Sequence, residues 1–172
     1  MEHHHRKGRP SAGLPFLNPA NLLATWFGAG LVPVAPGTFG SIAAIPFAWL
    51  ITLVGGHLSL LASSIALFFV GWWAANRFIS LETDSDPAPV VIDEVAGQWL
   101  TLSVVPLDPW SYVIAFVLFH IFDVVKPWPI SWADKSVKGG LGIMLDDTLA
   151  AIYAGTMVFI LAEILMDKNV FN

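Results

Sequence analysis

The chain has 172 residues, enough for one domain, of which 56% are hydrophobic and only 12% charged. Soluble domains carry about a quarter charged residues, so the deficit, with eight tryptophans and a mean hydropathy of +0.69, points to a membrane protein. The formal charge of −5 is gathered in clusters, there is no cysteine, and no basic stripe with interleaved aromatics occurs; a disulfide framework, a thiolate centre and a nucleic-acid surface are thereby excluded.

Residues 1–17 carry Arg6, Lys7 and Arg9 without an adjacent apolar core, which predicts a disordered basic tail and not a cleaved signal. Residues 18–168 read as one membrane domain, and 169–172 as its C-terminal end. The segment 18–34 contains Gly28 and Gly30 and is marginal for a span, so it is expected as an interfacial or re-entrant helix capped by Asn18 or Asn21. The breaker-rich turn PVAPGTFGS (33–41) then opens an uncharged run, 42–54, expected as the first span with Pro46 tolerated as a kink. Gly55-Gly56-His57 reads as a tight turn before a second span, 58–75, which ends in the interfacial pair Trp72 and Trp73. His57 falls on the side away from the acidic motifs and is expected to be structural.

A polar loop, 76–89, holds Arg77, Glu82, Asp84 and Asp86. Residues 90–105, VVIDEVAGQWLTLSVV, form a third run, apolar except for Asp93 and Glu94 at its start. After a turn at 106–109 the fourth run, 110–122, ends in Asp123, Lys126 and two prolines. A loop with Lys135, Lys138 and three glycines leads to Asp146-Asp147, which are expected to open a last run, 148–166. No internal repeat is visible. The fold class is all-α, a multi-pass membrane bundle of about four to five spans with the interfacial or re-entrant N-terminal helix.

With the tail inside and five crossings, seven of the eight basic residues (Arg6, Lys7, Arg9, Arg77, Lys126, Lys135, Lys138) fall on one side, as the positive-inside rule expects. That threading places Ser41, Asp93-Glu94, Asp123 and Asp146-Asp147 at the same, cytoplasmic boundary.

Each acidic motif has a plain alternative. In the first turn of a helix Asp93-Glu94 and Asp146-Asp147 could simply serve the macrodipole and the free N–H groups. Asp123 differs, because it is expected at a helix C-terminus, where the dipole disfavours an anion. Lys126 could pair with it structurally; a bound hard cation is the sharper reading, since carboxylates suit such ions and ionisable groups at membrane depth are usually functional. The turn PGTFGS resembles a phosphate cradle, with Thr38 and Ser41 offering hydroxyls at a helix start, although a plain helix start explains it equally. The glycines at 139–142 have the same two readings, and Lys126 and Lys138 are candidates for phosphate charge.

The motifs APGTFGS, VIDEVAG, FDVVKPWPI and GGLGIMLDD, in this order and spacing, resemble phosphatidylglycerophosphatase A, a family of bacterial inner-membrane lipid phosphatases. The likeness runs from about Asn18 to Gly155. It implies Mg²⁺-dependent dephosphorylation of phosphatidylglycerophosphate to phosphatidylglycerol, at the cytoplasmic face of the inner membrane. Carried over by position, the metal-binding and catalytic acids are Asp93, Glu94, Asp123, Asp146 and Asp147, with Lys126, also catalytic, and the Thr38/Ser41 turn beside them; Thr38, Ser41, Lys126 and, from the loop charge read above, Lys138 are expected at the phosphate. The implied partners are the phospholipid substrate and membrane lipid, with no nucleic acid. The family often has FRxFD where this chain has His120 before Ile121, and histidine lacks the bidentate grip of arginine on phosphate.

The rival function is a small membrane transporter or channel for a divalent cation. It would distribute charge through the bilayer midplane and show repeated halves, whereas these charges cluster at one boundary. A CDP-alcohol phosphotransferase would need a DGxxAR…GxxxDxxxD run, which the chain lacks.

Overall fold

The computed structural model describes residues 18–81 and 87–168, the stretch 162–168 as helical backbone only. The tail 1–17, the acidic part of the polar loop (Glu82, Asp84 and Asp86) and residues 169–172 lie outside the described residues. Six α-helices and one short 3₁₀ turn account for the regular structure, with no strand among the described residues.

The N-terminal segment is more broken than its composition suggests. Helix α1, Pro19–Ala24, starts where Asn18 caps the Ala20 N–H at 3.0 Å. Trp26 and Phe27 then adopt positive φ, and a 3₁₀ turn, Ala29–Leu31, follows. A single helix over 18–34 therefore does not form. The Val91 N–H donates to Ala24 O at 2.9 Å and fixes this segment beside the start of the third run.

Helix α2, Pro36–Ile79, has 44 residues. Straight, it would measure about 66 Å, twice the roughly 30 Å hydrocarbon core of a bilayer. It is broken at Gly56 (φ 76°, ψ 178°), a conformation that glycine alone adopts readily. Gly40, on the first arm, lies against Val91, and Gly71, on the second, lies against Ile92. Both arms therefore flank the start of α3, and α2 folds back on itself at the turn expected over 55–57. His57 Nε2 lies 2.8 Å from Val105 O, which ties the fold-back to the far end of the third run.

Helix α3, Ile92–Leu102, has only 11 residues, about 16 Å. The run 90–105 is thus only partly helical, and α3 alone is half the thickness of a bilayer core. Eight of its residues are buried, among them Ile92, Val95, Trp99 and Leu102. It is apolar on nearly every side because helices surround it: both arms of α2, α4 and α6. Trp99 Nε1 donates to Ala44 O at 3.0 Å, and Ser64 Oγ to Ala96 O at 2.8 Å, so each arm of α2 is hydrogen-bonded to it.

Helix α4, Pro109–Val125, is capped by Asp108 through the Trp110 and Ser111 amides, each at 3.0 Å. Lys126 ends it in the left-handed conformation (φ 44°), and α5, Ile130–Ser136, departs at 54°. Helix α6, Gly139–Lys168, starts well before the run expected at 148. Its first glycines serve helix packing: the Gly140 N–H donates to Asn76 Oδ1 at 2.9 Å, and a Cβ there would meet Trp72 O at 2.7 Å. One amide of the phosphate-cradle reading of 139–142, that of Gly140, is thereby taken.

Small residues line much of the interior, beside a few large side chains such as Phe78, Phe119, Leu60 and Met144. Ala44, Ala48, Ala74, Ala75, Ala115, Ala150 and Ala154 are fully buried, while Leu53, Val54, Phe69 and Phe159 face outward. Close helix approach over small side chains, with large apolar ones outside, is the packing of a bundle in lipid. By length and composition α2 and α6 can each cross a membrane, and the bent pair α4–α5 makes a third if taken as one span. The expected four to five counted the two arms of α2 and the run around α3 separately.

Candidate metal-binding active site

Asp93 and Glu94 occupy the first turn of α3, whose N-cap residue, Val91, supplies no side-chain cap. Asp123 lies in the last turn of α4, at the end where the helix dipole opposes a negative charge. Asp146 and Asp147 depart from expectation. They sit inside α6, which has no acidic residue in its first turn. The free N–H groups that a capping carboxylate would serve are two turns away at Gly139, so the capping reading of this pair falls.

The three helices bring all five acids together. Carboxylate oxygens of Asp93, Glu94 and Asp147 lie within 4.8 Å of one another, and so do those of Asp123, Asp146 and Asp147. Asp147 belongs to both groups and is only 3% exposed. No hydrogen-bond donor among the described residues reaches its buried Oδ2 or Glu94 Oε2.

The start of α2 closes one side of this cluster. A Cβ built on Gly37 would stand 2.0 Å from Glu94 Oε1, so the PGTFGS turn lies directly against the Glu94 carboxylate. The N-cap residue, Ala35, offers no side-chain acceptor to the first-turn amides of α2. Thr38 is half-buried there. Ser41, one turn on, is fully buried, and its hydroxyl has no hydrogen-bond partner among the described residues.

Lys126 stands on the other side, but not as Asp123's partner. Its Nζ donates to Asp134 Oδ1 at 2.7 Å and to Asp146 Oδ2 at 2.5 Å. Burial works against the ammonium charge, yet the bonds and charges of Asp134 and Asp146 outweigh it and hold the group well above an ordinary lysine. Asp134 was not singled out in the sequence. It lies in the amphipathic-looking stretch SWADKS, and only the bend between α4 and α5 returns it to Lys126. Gln98 was also missed: one turn after Glu94 it is fully buried, and neither amide atom has a partner among the described residues. A lone amide in AGQWLTL was its only trace.

Lys138, expected at the phosphate, is not drawn in, and neither is His120, which stands where the family often has arginine. Lys138 is exposed and makes no hydrogen bond or ion pair among the described residues. His120 is tied to its own helix, with Nδ1 3.0 Å from Phe116 O and its ring 4.3 Å from that of Phe116.

Five carboxylates gathered in a low-dielectric site, only one of them paired with Lys126, call for a further cation. Buried hard oxygen donors aimed at a common point, some without any protein donor, are the ligand set a hard divalent ion takes. The residues fit such an ion.

Over residues 22–162 the chain matches the family described as phosphatidylglycerophosphatase A. The chain belongs to that family. The phosphatidylglycerophosphatase A of Escherichia coli (strain K12) is 42% identical over 149 residues, 86% of each chain. That of Haemophilus influenzae is 37% identical over 155 residues, 89% of this chain and 94% of the relative. A Bacteroides thetaiotaomicron protein provisionally named a phosphatidylinositol-3-phosphatase is 38% identical over 144 residues, 80% of this chain and 89% of its own. No solved structure gives a significant match. All five clustered carboxylates, Lys126 and the Gly37 turn lie within the span matched to the phosphatidylglycerophosphatase A family.

Proposed function

We propose that this protein removes the terminal phosphate of phosphatidylglycerophosphate in a Mg²⁺-dependent hydrolysis at the cytoplasmic face of the bacterial inner membrane. The observation that carries the reading is the pair of carboxylate groups sharing Asp147, set against the start of α2. Family membership supplies the substrate class.

In this reading Asp93, Glu94 and Asp147 would hold one cation, and Asp123, Asp146 and Asp147 a second if two are bound. Bound Mg²⁺ would withdraw charge from the phosphoryl oxygens and acidify a water. The first-turn amides of α2 and the Thr38 hydroxyl, beside Glu94, accept the phosphate as helix N-termini accept anions, with Ser41 one turn behind. Lys126, its ammonium fixed by Asp134 and Asp146, adds a positive charge that need not reorganise during reaction. A carboxylate left clear of the cation takes the proton of the attacking water and passes it to the leaving oxygen. If it attacks phosphorus itself, a water protonates the leaving oxygen and the resulting hydroxide cleaves the acyl phosphate to free phosphate. The P–O bond to glycerol breaks, and the leaving oxygen departs protonated as the alcohol. Lys138, exposed on the segment before α6, attracts the anionic headgroup from solution.

The basic asymmetry of the sequence supports the cytoplasmic placement of this end. Five passes along the bundle, namely the two arms of α2, the run around α3, α4 and α6, carry the chain across the membrane. α1 and the turn after it lie at the interface beside the site, and residues 18–168 act as one domain. A cation transporter is less well supported, because the acids gather at one end of the bundle.

Purified protein assayed for phosphate release from phosphatidylglycerophosphate, phosphatidate and phosphatidylinositol 3-phosphate tests this. Mg²⁺-dependent release from the first, abolished by chelation, is expected. No release from it, or release indifferent to chelation, refutes the proposal; faster turnover of the inositol lipid would reassign the headgroup.

A further inference from the structure

The first arm of α2 and α4 both pack on α3 but make little direct contact with each other. Between them runs a groove of about 280 Å³, lined by Ile42, Ile45 and Trp49 on one side and Tyr112, Val113 and Phe116 on the other. Its surface is wholly apolar. The one hydroxyl of the lining, that of Tyr112, turns inward to Thr52 Oγ1 at 3.4 Å. The Tyr112 ring meets Trp49 with centroids 5.0 Å apart and bridges the two helices. Val113 and Ile42 are 51% and 48% exposed, so the groove is open to its surroundings along its length.

We infer that this groove holds one acyl chain of the phospholipid whose phosphate lies at the carboxylate cluster. The inference rests on the lipid-phosphatase reading above and names the surface that aligns the substrate. Depth is the first argument. Phe116 precedes Asp123 by seven residues and Tyr112 precedes it by eleven, so the groove lies roughly 10–16 Å below that carboxylate along α4. On α2, Ile42 lies roughly 8 Å below Gly37, the neighbour of Glu94. A lipid whose headgroup meets the cluster has its tail at that level, since half a hydrocarbon core is about 15 Å.

Shape and polarity are the second argument. A helix with side chains is about 10–12 Å wide, too broad for a slot whose walls touch through Trp49 and Tyr112. A single unbranched chain is narrow enough, and the lining offers it no unpaired polar group. Both walls end at the cluster: α2 begins at the Gly37 turn, and α4 ends at Asp123 and Lys126. The groove supplies alignment more than partition, because a tail already dissolved in hydrocarbon gains little by leaving it. Held in place, the chain sets the position of the phosphate, on which the rate depends steeply.

Val113→Trp would fill the groove without touching a cluster residue. Three measurements test the assignment in detergent micelles with Mg²⁺. With a long-chain phosphatidylglycerophosphate, Val113→Trp should lower kcat/KM by about tenfold or more, chiefly through kcat, by misplacing the phosphate. With the same headgroup free of acyl chains, wild type and variant should have equal rates. With wild type and a phosphatidylglycerophosphate carrying a diazirine in one acyl chain, photolysis should label peptides from 42–49 and 112–116 above other outward-facing segments. Unlabelled lipid should compete. Equal loss on both substrates, or no loss on either, overturns the groove, as does labelling spread evenly over the outer surface. If wild type hydrolyses neither substrate, the proposed function fails, and the photolabel still decides the groove independently. Should the variant not fold, the wild-type labelling pattern is the deciding result.

Discussion

Replacing Gly37 by alanine should separate the assembled site from a chance gathering of acids. The added methyl would stand 2.0 Å from Glu94 Oε1 and 2.8 Å from its Cδ. Ordinary non-bonded contact needs about 3.5 Å, so the carboxylate or the first turn of α2 must move by more than an ångström. A misplacement of about 1 Å in a catalytic site can lower the rate by about a hundredfold, or roughly 2.7 kcal/mol. Phosphate release from phosphatidylglycerophosphate at saturating Mg²⁺ should show that loss in kcat. Overpacking at one turn costs about 1–3 kcal/mol, so melting in detergent should also be measured. A double-mutant cycle with Glu94→Asp, which withdraws the carboxylate by one methylene, completes the test. If the close contact is real, Gly37→Ala should harm the Glu94→Asp background far less than wild type, a non-additivity of at least about 1 kcal/mol. Near-wild-type turnover of Gly37→Ala, or strictly additive losses, would refute the placement of the PGTFGS turn against Glu94.

The remaining expectations follow from the same geometry. Asp146→Asn and Asp147→Asn should each lower phosphate release by at least about a hundredfold with little change in melting; near-wild-type rates in both would remove the shared vertex of the cluster. Asp123→Asn should do the same and raise the Mg²⁺ needed for half-maximal rate, whereas unchanged Mg²⁺ dependence would reduce Asp123 to a helix-end residue. Asp134→Asn should lower kcat only a few-fold, because a half-exposed ion pair is worth about 1 kcal/mol or less, while Lys126→Met should lower it far more; equal losses would make Asp134 as important as the lysine it holds. Single cysteines at Ser59 and Ser136, treated with an impermeant thiol reagent in intact cells, should label at Ser59 only, and labelling at Ser136 alone would invert the orientation.

Much of the site could be read in the sequence because its chemistry is confined to a few polar letters in apolar surroundings. Asp93, Glu94, Asp123, Asp146 and Asp147 stand out in runs that carry almost no other charge, and the structure assembles all five. What could not be read was which helix position each occupies. The start of α6 was placed near 148 because Gly139, Gly140 and Gly142 look like loop. In the bundle those glycines let α6 pack against the backbone at Trp72 and Asn76, and Asn76 satisfies the Gly140 amide. A contact between residues so far apart in sequence has no local trace. The partners of Lys126 have no local trace either. The nearer acid, Asp123, is three positions away, but the αL residue and the bend after α4 turn the lysine toward α5 and α6.

The run 90–105 shows how a hydropathy pattern can be longer than the helix within it. VVIDEVAGQWLTLSVV is apolar enough for a span, but its apolarity reflects burial among helices instead of contact with lipid. The helix within it is half a bilayer long. The short length has a consequence for the site. Because α3 is enclosed on nearly all sides, its first turn opens inside the bundle, between the start of α2 and the middle of α6. Asp93 and Glu94 are therefore held below the rim, where Asp147 can reach them from two turns inside its own helix. The cluster exists because one helix starts deep and its neighbour carries acids in its interior.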